Sequence, residues 1–197
     1  LREEQTGRRY VVHGDVADVV IATDGETLTR WTEFTATPSV SMDPTRRLAV
    51  VEPETTSVVG ADPGLADTAA ILLAVEQIGA ATRCLDLTVA YTKDRVQFGR
   101  PIGSFQALKH RMADLYVAVQ SARAVVAEAV ADPSPTSAAL ARLAASEAFS
   151  AVAAEAVQMH GGIAITWEHD AQLVFKRAHA LGQLFGQAHE HRRTLLG

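Results

Sequence analysis

Residues 95–106 read Arg95-Val96-Gln97-Phe98-Gly99-Arg100-Pro101-Ile102-Gly103-Ser104-Phe105-Gln106, and the fold turns on what lies on either side of them. Upstream, residues 65–94 hold no proline and one glycine, with Ala, Leu, Ile and Val on nearly every face. A helix apolar all round is one buried among other helices. Charge returns at Lys93, Asp94 and Arg95, where that helix should reach solvent. Downstream, Ser104 is placed to cap a second helix running to about Ala131, with Leu108, Met112, Leu115, Val119 and Ala122 on one stripe. The stretch is therefore an ordered loop between two long helices. A loop rich in Arg, Gln, aromatic and Gly is suited to holding a ligand.

Working outward, Asp132-Pro133-Ser134-Pro135 ends the second helix. An Ala-rich third helix spans about residues 136–160, a fourth about 168–184 and a fifth about 187–196. Short connections between antiparallel neighbours predict an up-down four-helix bundle with an extra terminal helix. Before residue 60 the pattern is β-like. Tyr10-Val11-Val12, Val19–Thr23 and Leu48–Val51 are β-branched runs, separated by the turn formers Asp24-Gly25, Pro38, Asp43-Pro44 and Pro53. Four to six short antiparallel strands are expected, as part of a larger β domain. The chain is thus read as mainly α, with 1–60 a remnant β domain and 61–197 a helical bundle.

Composition narrows the function. The 197 residues suffice for one good core, or a domain and a half. A formal net charge of -5 argues against a nucleic-acid backbone as partner. No uninterrupted apolar run approaches the ~20 residues that cross a bilayer, and no signal-peptide pattern opens the sequence. Cys84 stands alone, so no internal disulfide can form, which suits a cytoplasmic location. The seven histidines are scattered without metal-ligand spacing, and no metal site is expected.

Two segments carry chemistry. Read structurally, Arg95 and Gly99 are a helix C-terminus, with a cation on the dipole and a glycine stop. That leaves Gln97, Phe98 and the Pro101–Gln106 loop unexplained. The second segment is Gln158-Met159-His160-Gly161-Gly162, which read structurally is a glycine C-cap. A third, Thr166-Trp167-Glu168-His169-Asp170, reads as a capped helix start, with Lys176 and Arg177 forming a solvated or subunit-facing patch.

The first two segments together resemble the carboxy-terminal half of the acyl-CoA dehydrogenases, a family of FAD enzymes. The resemblance covers about residues 60–197 well and residues 6–60 more loosely, through Gly7-Arg8-Arg9-Tyr10-Val11-Val12 and Ala17-Asp18-Val19-Val20. It implies that Arg95 meets the FAD pyrophosphate, a role that a bidentate guanidinium suits. Gln97 belongs to the same cofactor-binding segment. Phe98 would pack on the flavin or adenosine, and Gln106 would hydrogen-bond the cofactor. Gln158, Gly161 and Gly162 would lie against the adenosine, where glycine lets backbone approach a ligand. The family's amino-terminal helical domain and the β segment lining the flavin ring are not among these residues. The chain is accordingly expected to be either a piece of a longer protein or a shortened subunit.

The family removes an α-proton from an acyl-CoA thioester with a glutamate base and passes the β-hydride to FAD. One position for that base falls here on Phe185 or Gly186, the other on Ala69, followed by Ala70. None can take a proton. Asp67 lies two residues off, about 200° around the helix, and Glu76 seven residues on, about 10 Å along it. Glu190 lies four residues past the tail turn. The resemblance therefore implies a non-catalytic member of an α2β2 heterotetramer that completes a related subunit's FAD site. Electrons would pass to an electron-transfer flavoprotein, and the substrate would be a bulky acyl-CoA such as a steroid side-chain thioester. Two alternatives stay open: a catalytic homotetramer with Glu190 or Asp67 as displaced base, and a flavin-free structural or binding protein.

Overall fold

The computed structural model describes residues 9–196. The Gly7-Arg8 start of the expected first strand lies outside them. Strands β1 (Arg9–Val12), β2 (Val20–Thr23), β3 (Thr27–Ser39) and β4 (Leu48–Ala61) form one antiparallel sheet in the order β1-β4-β3-β2. The expected short strands are therefore two short and two long ones. Asp24-Gly25 and Asp43-Pro44 do fall in turns, the first a tight hairpin in which Asp24 Oδ1 accepts from the Glu26 and Thr27 amides and Gly25 takes φ 99°. Pro38 and Pro53, expected as turns, instead lie inside β3 and β4. Each sits where its strand has a single described neighbour: β1 pairs only with residues 48–51 of β4, and β2 only with 28–31 of β3. A missing N–H there breaks no ladder. Register shifts between Leu28 and Phe34 bend the β3–β4 ribbon, and its inner face buries Val20, Ala22, Trp31, Ala49 and Val51.

Five helices follow: α1 (Leu65–Asp94), α2 (Gln106–Ala131), α3 (Pro135–His160), α4 (Ala171–Leu181) and α5 (Ala188–Leu196). Asp62 Oδ1 starts α1 by accepting from the Gly64 and Leu65 amides at 2.9 and 2.7 Å, with Gly64 left-handed at φ 93°. At α3, Ser134 and Ser137 exchange side-chain-to-amide bonds in a capping box, and Pro135 occupies the first turn, where its missing N–H costs nothing. Ser104 does not cap α2. Its hydroxyl is buried without a partner, and the preceding 3-10 turn (Ile102–Ser104) displaces the helix start to Gln106. Thr166 does not cap α4 either. Its hydroxyl donates back to the Ile163 carbonyl, and Asp170 is the residue before the helix.

Helices α1 and α3 pack side by side and run parallel, since Gln77 meets Arg142 and Tyr91 meets His160. Alanines make the contact close: Ala74, Ala81, Ala141 and Ala145 are fully buried between them. By length and composition α1 could cross a membrane, with a mean hydropathy of 1.3 over its most apolar window. Its packing on α2, α3 and α4, with Gln77, Thr88 and Thr92 buried, makes it a helix of the bundle, whose centre is α3, in contact with all four other helices.

Lys176 and Arg177 do not form a free surface patch. Arg177 reaches into the junction of sheet and bundle, where Nε donates to Asp43 at 2.6 Å and Nη1 to Glu76 at 3.0 Å. Arg46 also donates to Glu76, at 2.6 Å, so the β3–β4 loop is bolted to α1 and α4. Burial opposes the charge on Asp43. The Thr45 hydroxyl and amide, with Arg177, outweigh it and hold the carboxyl below its ordinary range. Lys176 lies over the Trp167 ring at 4.1 Å.

Candidate functional site

The 95–105 stretch folds as a miniature hairpin. Val96–Gln97 (β5) pairs antiparallel with Arg100–Pro101 (β6), and the two-residue turn is Phe98-Gly99, with φ of 54° and 78°. Both signs are those of a type I′ turn, whose twist suits a tight hairpin. Glycine accepts that geometry freely. Phe98 accepts it at a cost, and its ring is 90% exposed at the tip. Behind the tip, Phe105 meets Phe98 edge-on at 6.2 Å and takes the Arg100 guanidinium on its face at 4.1 Å. The base is pinned to α1: the Arg95 amide donates to the Tyr91 carbonyl, and the Ile102 amide to the Arg95 carbonyl. Gly103 packs so closely that a Cβ there would stand 2.9 Å from the Thr92 carbonyl oxygen.

The second segment closes α3. Gly161 turns the chain at φ 66°, with open space around the position of a Cβ, and a 3-10 turn (Gly161–Ile165) follows. Gln158, Gly161 and Gly162 are exposed, as are Arg95, Gln97, Phe98 and Gln106. His160 between them is buried. Its ring stacks on Tyr91 at 4.2 Å and 28°, and the Tyr91 hydroxyl donates to the His160 carbonyl at 3.4 Å. Tyr91 stands one turn before Arg95. The two segments therefore come together at one end of the bundle, on the parallel ends of α1 and α3. Sequence reasoning missed Tyr91, His160 and Gly103. The i, i+4 spacing of Tyr91 and Arg95 was the available signal, but nothing local shows what Tyr91 touches.

The positions where a base was sought lie elsewhere. Ala69 is half-buried and Ala70 buried in the first turns of α1. Phe185 and Gly186 form the α4–α5 turn, both with positive φ (51° and 97°). The turn is gripped from two sides. Arg142, fully buried, donates to the Leu181 carbonyl and at 2.9 Å to the Leu184 carbonyl, and the His191 Nε2 lies 3.1 Å from the Phe185 carbonyl. Arg142 has Gln77 and Ser146 as its other partners and no carboxylate, so burial pushes its guanidinium down to about 10. Glu190 accepts from the Gln187 amide at 2.9 Å, at the start of α5. Glu76 is held by Arg46 and Arg177. A separate cavity of about 330 Å³ opens between β1, the β3–β4 loop and α4. Tyr10, Val12, Met42 and Leu184 are among its walls, and no carboxylate among the described residues lines it. It can house an apolar group and is lined by none of the seven exposed candidates.

A central helical bundle entered from an antiparallel sheet, with a hairpin and a glycine turn side by side at one end, defines the class of fold. The model of the acyl-CoA dehydrogenase carboxy-terminal domain matches residues 66–196. The chain belongs to the acyl-CoA dehydrogenase family. It is 70% identical over 186 residues to acyl-CoA dehydrogenase IpdE2 of Mycolicibacterium smegmatis, covering 94% of this chain and 60% of that protein. The chain thus spans well under two thirds of that relative's length. The ChsE4-ChsE5 complex from Mycobacterium tuberculosis superposes with a TM-score of 0.88 at 27% identity, over 96% of this chain and 58% of the other. A variant of the Tcur3481-Tcur3483 steroid acyl-CoA dehydrogenase gives a TM-score of 0.80 at 26% identity, over 90% and 53%.

Proposed function

We propose that this chain contributes one half of an FAD site to an acyl-CoA dehydrogenase assembly and leaves proton abstraction to a related subunit. The observation that carries this reading is the joining of the two segments at one end of the bundle, with all seven candidate side chains and glycines exposed there. Such a face is half a site, and another polypeptide would complete it. The residues fit the pyrophosphate and adenosine portions: a guanidinium at the helix end, an exposed aromatic at a strained hairpin tip, three side-chain amides, and a glycine turn with no side chain in the way. Arg95 would bind the phosphates in a bidentate fork, Phe98 would cover an aromatic ring, and Gln97, Gln106 and Gln158 would orient polar edges. When bound, FAD supplies the hydride acceptor.

The lack of a base is supported by Ala69 and by the Phe185-Gly186 turn, and Glu190 and Glu76 are already engaged. The likeness to the ChsE4-ChsE5 complex and to a steroid acyl-CoA dehydrogenase supports a heteromer acting on a bulky acyl-CoA, which we read as an α2β2 heterotetramer. Residues 1–60 and 61–197 are read as the end of a middle β domain and the carboxy-terminal domain. Electron-transfer flavoprotein would be the electron acceptor. The test is co-purification. A related subunit and FAD should accompany the chain in fixed ratio, and Arg95→Ala should lower the flavin-to-protein absorbance ratio. A flavin-free preparation, or a chain that turns over acyl-CoA by itself, refutes the reading.

A further inference from the structure

The two segments lie on different helices, and something must hold them in one geometry if they are to grip one ligand. We propose that Tyr91, His160 and His169 are positioning residues. They would hold the 95–105 hairpin and the Gln158–Gly162 turn in fixed relation while the buried His160 ring is neutral, and loosen that relation when it takes a proton. This deepens the FAD reading, on which it rests only for what is being held.

The geometry is a triangle of three rings. Tyr91 stacks on His160 at 4.2 Å, His169 meets His160 at 4.5 Å with a 50° tilt, and His169 meets Tyr91 edge-on at 6.3 Å. Tyr91 is in the last turns of α1, next to the hairpin base. His160 is the last residue of α3, next to Gly161, and His169 sits in the loop before α4. One ring therefore comes from each of three elements that meet at the site. Polar bonds fix the triangle. The Tyr91 hydroxyl donates to the His160 carbonyl. The Nδ1 of neutral His160 donates to the Ala156 carbonyl at 2.7 Å, and the Nδ1 of His169 accepts from the Ala171 amide at 3.1 Å. Each ring is thereby committed to one tautomer.

A proton on His160 would place a charge against the Tyr91 and His169 rings in a buried place, where it costs far more than in water. From α1, Tyr91 faces His160; from α3 itself, the Ala156 carbonyl; from the following loop, His169. Farther back on α3, Glu155 is paired with Arg111 of α2. The exposed Glu168 and Asp170 flank His169, and Lys93, Asp94 and Arg95 are exposed at the end of α1. Burial first, and His169 second, keep His160 below the ordinary imidazole range against the opposing pull of the Ala156 carbonyl. A buried imidazole of lowered pKa supports the fold fully above its unfolded value of about 6.5 and loses that support as pH falls below it.

The experiment uses the assembled complex with its co-purified FAD. Flavin release is followed by fluorescence between about pH 5.5 and 7.5, a window centred on the imidazole range. Amide hydrogen exchange is read at residues 96–104 and 161–165. Release from the unmodified complex should rise about fivefold or more from the upper to the lower pH, with both amide segments exchanging faster together. His160→Gln removes the titrating imidazole and should flatten the pH profile. Tyr91→Ala should speed release and exchange at every pH, while Tyr91→Phe, which keeps the stack, should restore most of the grip. His191→Gln serves as control, because His191 also resists protonation by burial and by Arg142, yet lies at the α4–α5 turn. It should leave the profile intact. A His160→Gln profile that tracks the unmodified protein overturns the proposal, as does Tyr91→Ala without effect on hairpin exchange. If no flavin is bound, the cofactor reading fails, and exchange alone decides. Acid-dependent, coupled exchange lost in His160→Gln upholds the brace, and uncoupled exchange sinks it.

Discussion

Tyr91 and His160, 69 residues apart in sequence, lie ring on ring at 4.2 Å and share a hydroxyl-to-carbonyl hydrogen bond. This contact turns two separate loops into one surface. It adds a direct tie between the ends of two helices that carry Arg95 and Gln158. The half-site follows from a parallel pair of helices ending at the same level, and the alanine seam between α1 and α3 sets that level.

Gly103 gives a way to disturb this surface without touching a candidate ligand-binding side chain. A Cβ at this position would meet the Thr92 backbone carbonyl at 2.9 Å, and backbone cannot swing aside. Gly103→Ala should destabilise the chain by about 1–3 kcal/mol through overpacking. It should also lower the flavin-to-protein ratio of the complex, as measured by urea melts and absorbance.

Asp43 links sheet to bundle. It is fully buried, and its bond to Arg177 is 2.6 Å. Asp43→Asn removes one of the two carboxylates that face Arg177, leaving Glu76 at 3.0 Å, and should cost about 2–3 kcal/mol, the low side for a broken buried pair because Arg177 keeps that partner and some water. The carboxyl's depressed pKa sets the sign with pH. Its contribution is whole above the unfolded value of about 3.9 and disappears as pH falls through the folded value. Acid melts of the two proteins should therefore converge at low pH.

Arg142 is the charged side chain most deeply placed in the bundle, and it holds two carbonyls of the α4–α5 connection. Arg142→Ala should destabilise by about 3 kcal/mol or more, since it opens a cavity and strands buried acceptors. Hydrogen exchange should rise first at residues 182–187. Arg142→Lys, with fewer donors, should recover only part of the loss. Equal protection of that turn in all three proteins would contradict the tie.

Glu190 tests the missing base. Glu190 is occupied at the start of α5, where its Oε2 accepts from the Gln187 amide. Glu190→Gln keeps an acceptor there, so turnover by the assembled complex should stay within about twofold and stability within about 0.5 kcal/mol. A loss of several orders of magnitude in kcat would instead identify Glu190 as the proton acceptor.

Local chemistry determined much of this protein from sequence alone. The uninterrupted apolar run before Lys93, the Asp62-Pro63-Gly64 stop, the Ser134-Pro135 helix start and the glycines at 99 and 161 are short-range signals, and the helices they mark are where they were expected, to within a few residues. Gln97 and Phe98 stood out for the same reason, since a helix C-terminus accounts for Arg95 and Gly99 but not for them. Tertiary structure decided the rest. Pro38 and Pro53 read as turns until the sheet order showed that each has an open side. Ser104 and Thr166 read as caps until 3-10 turns displaced the helix starts. Arg177 read as part of a solvated or subunit-facing patch, because an arginine on a helix gives no sign of which carboxylate or carbonyl will meet it. Pairings over a hundred residues, such as Arg177 with Asp43, or over sixty-nine, such as Tyr91 with His160, are settled by how whole helices lie against one another. No local pattern encodes that distance.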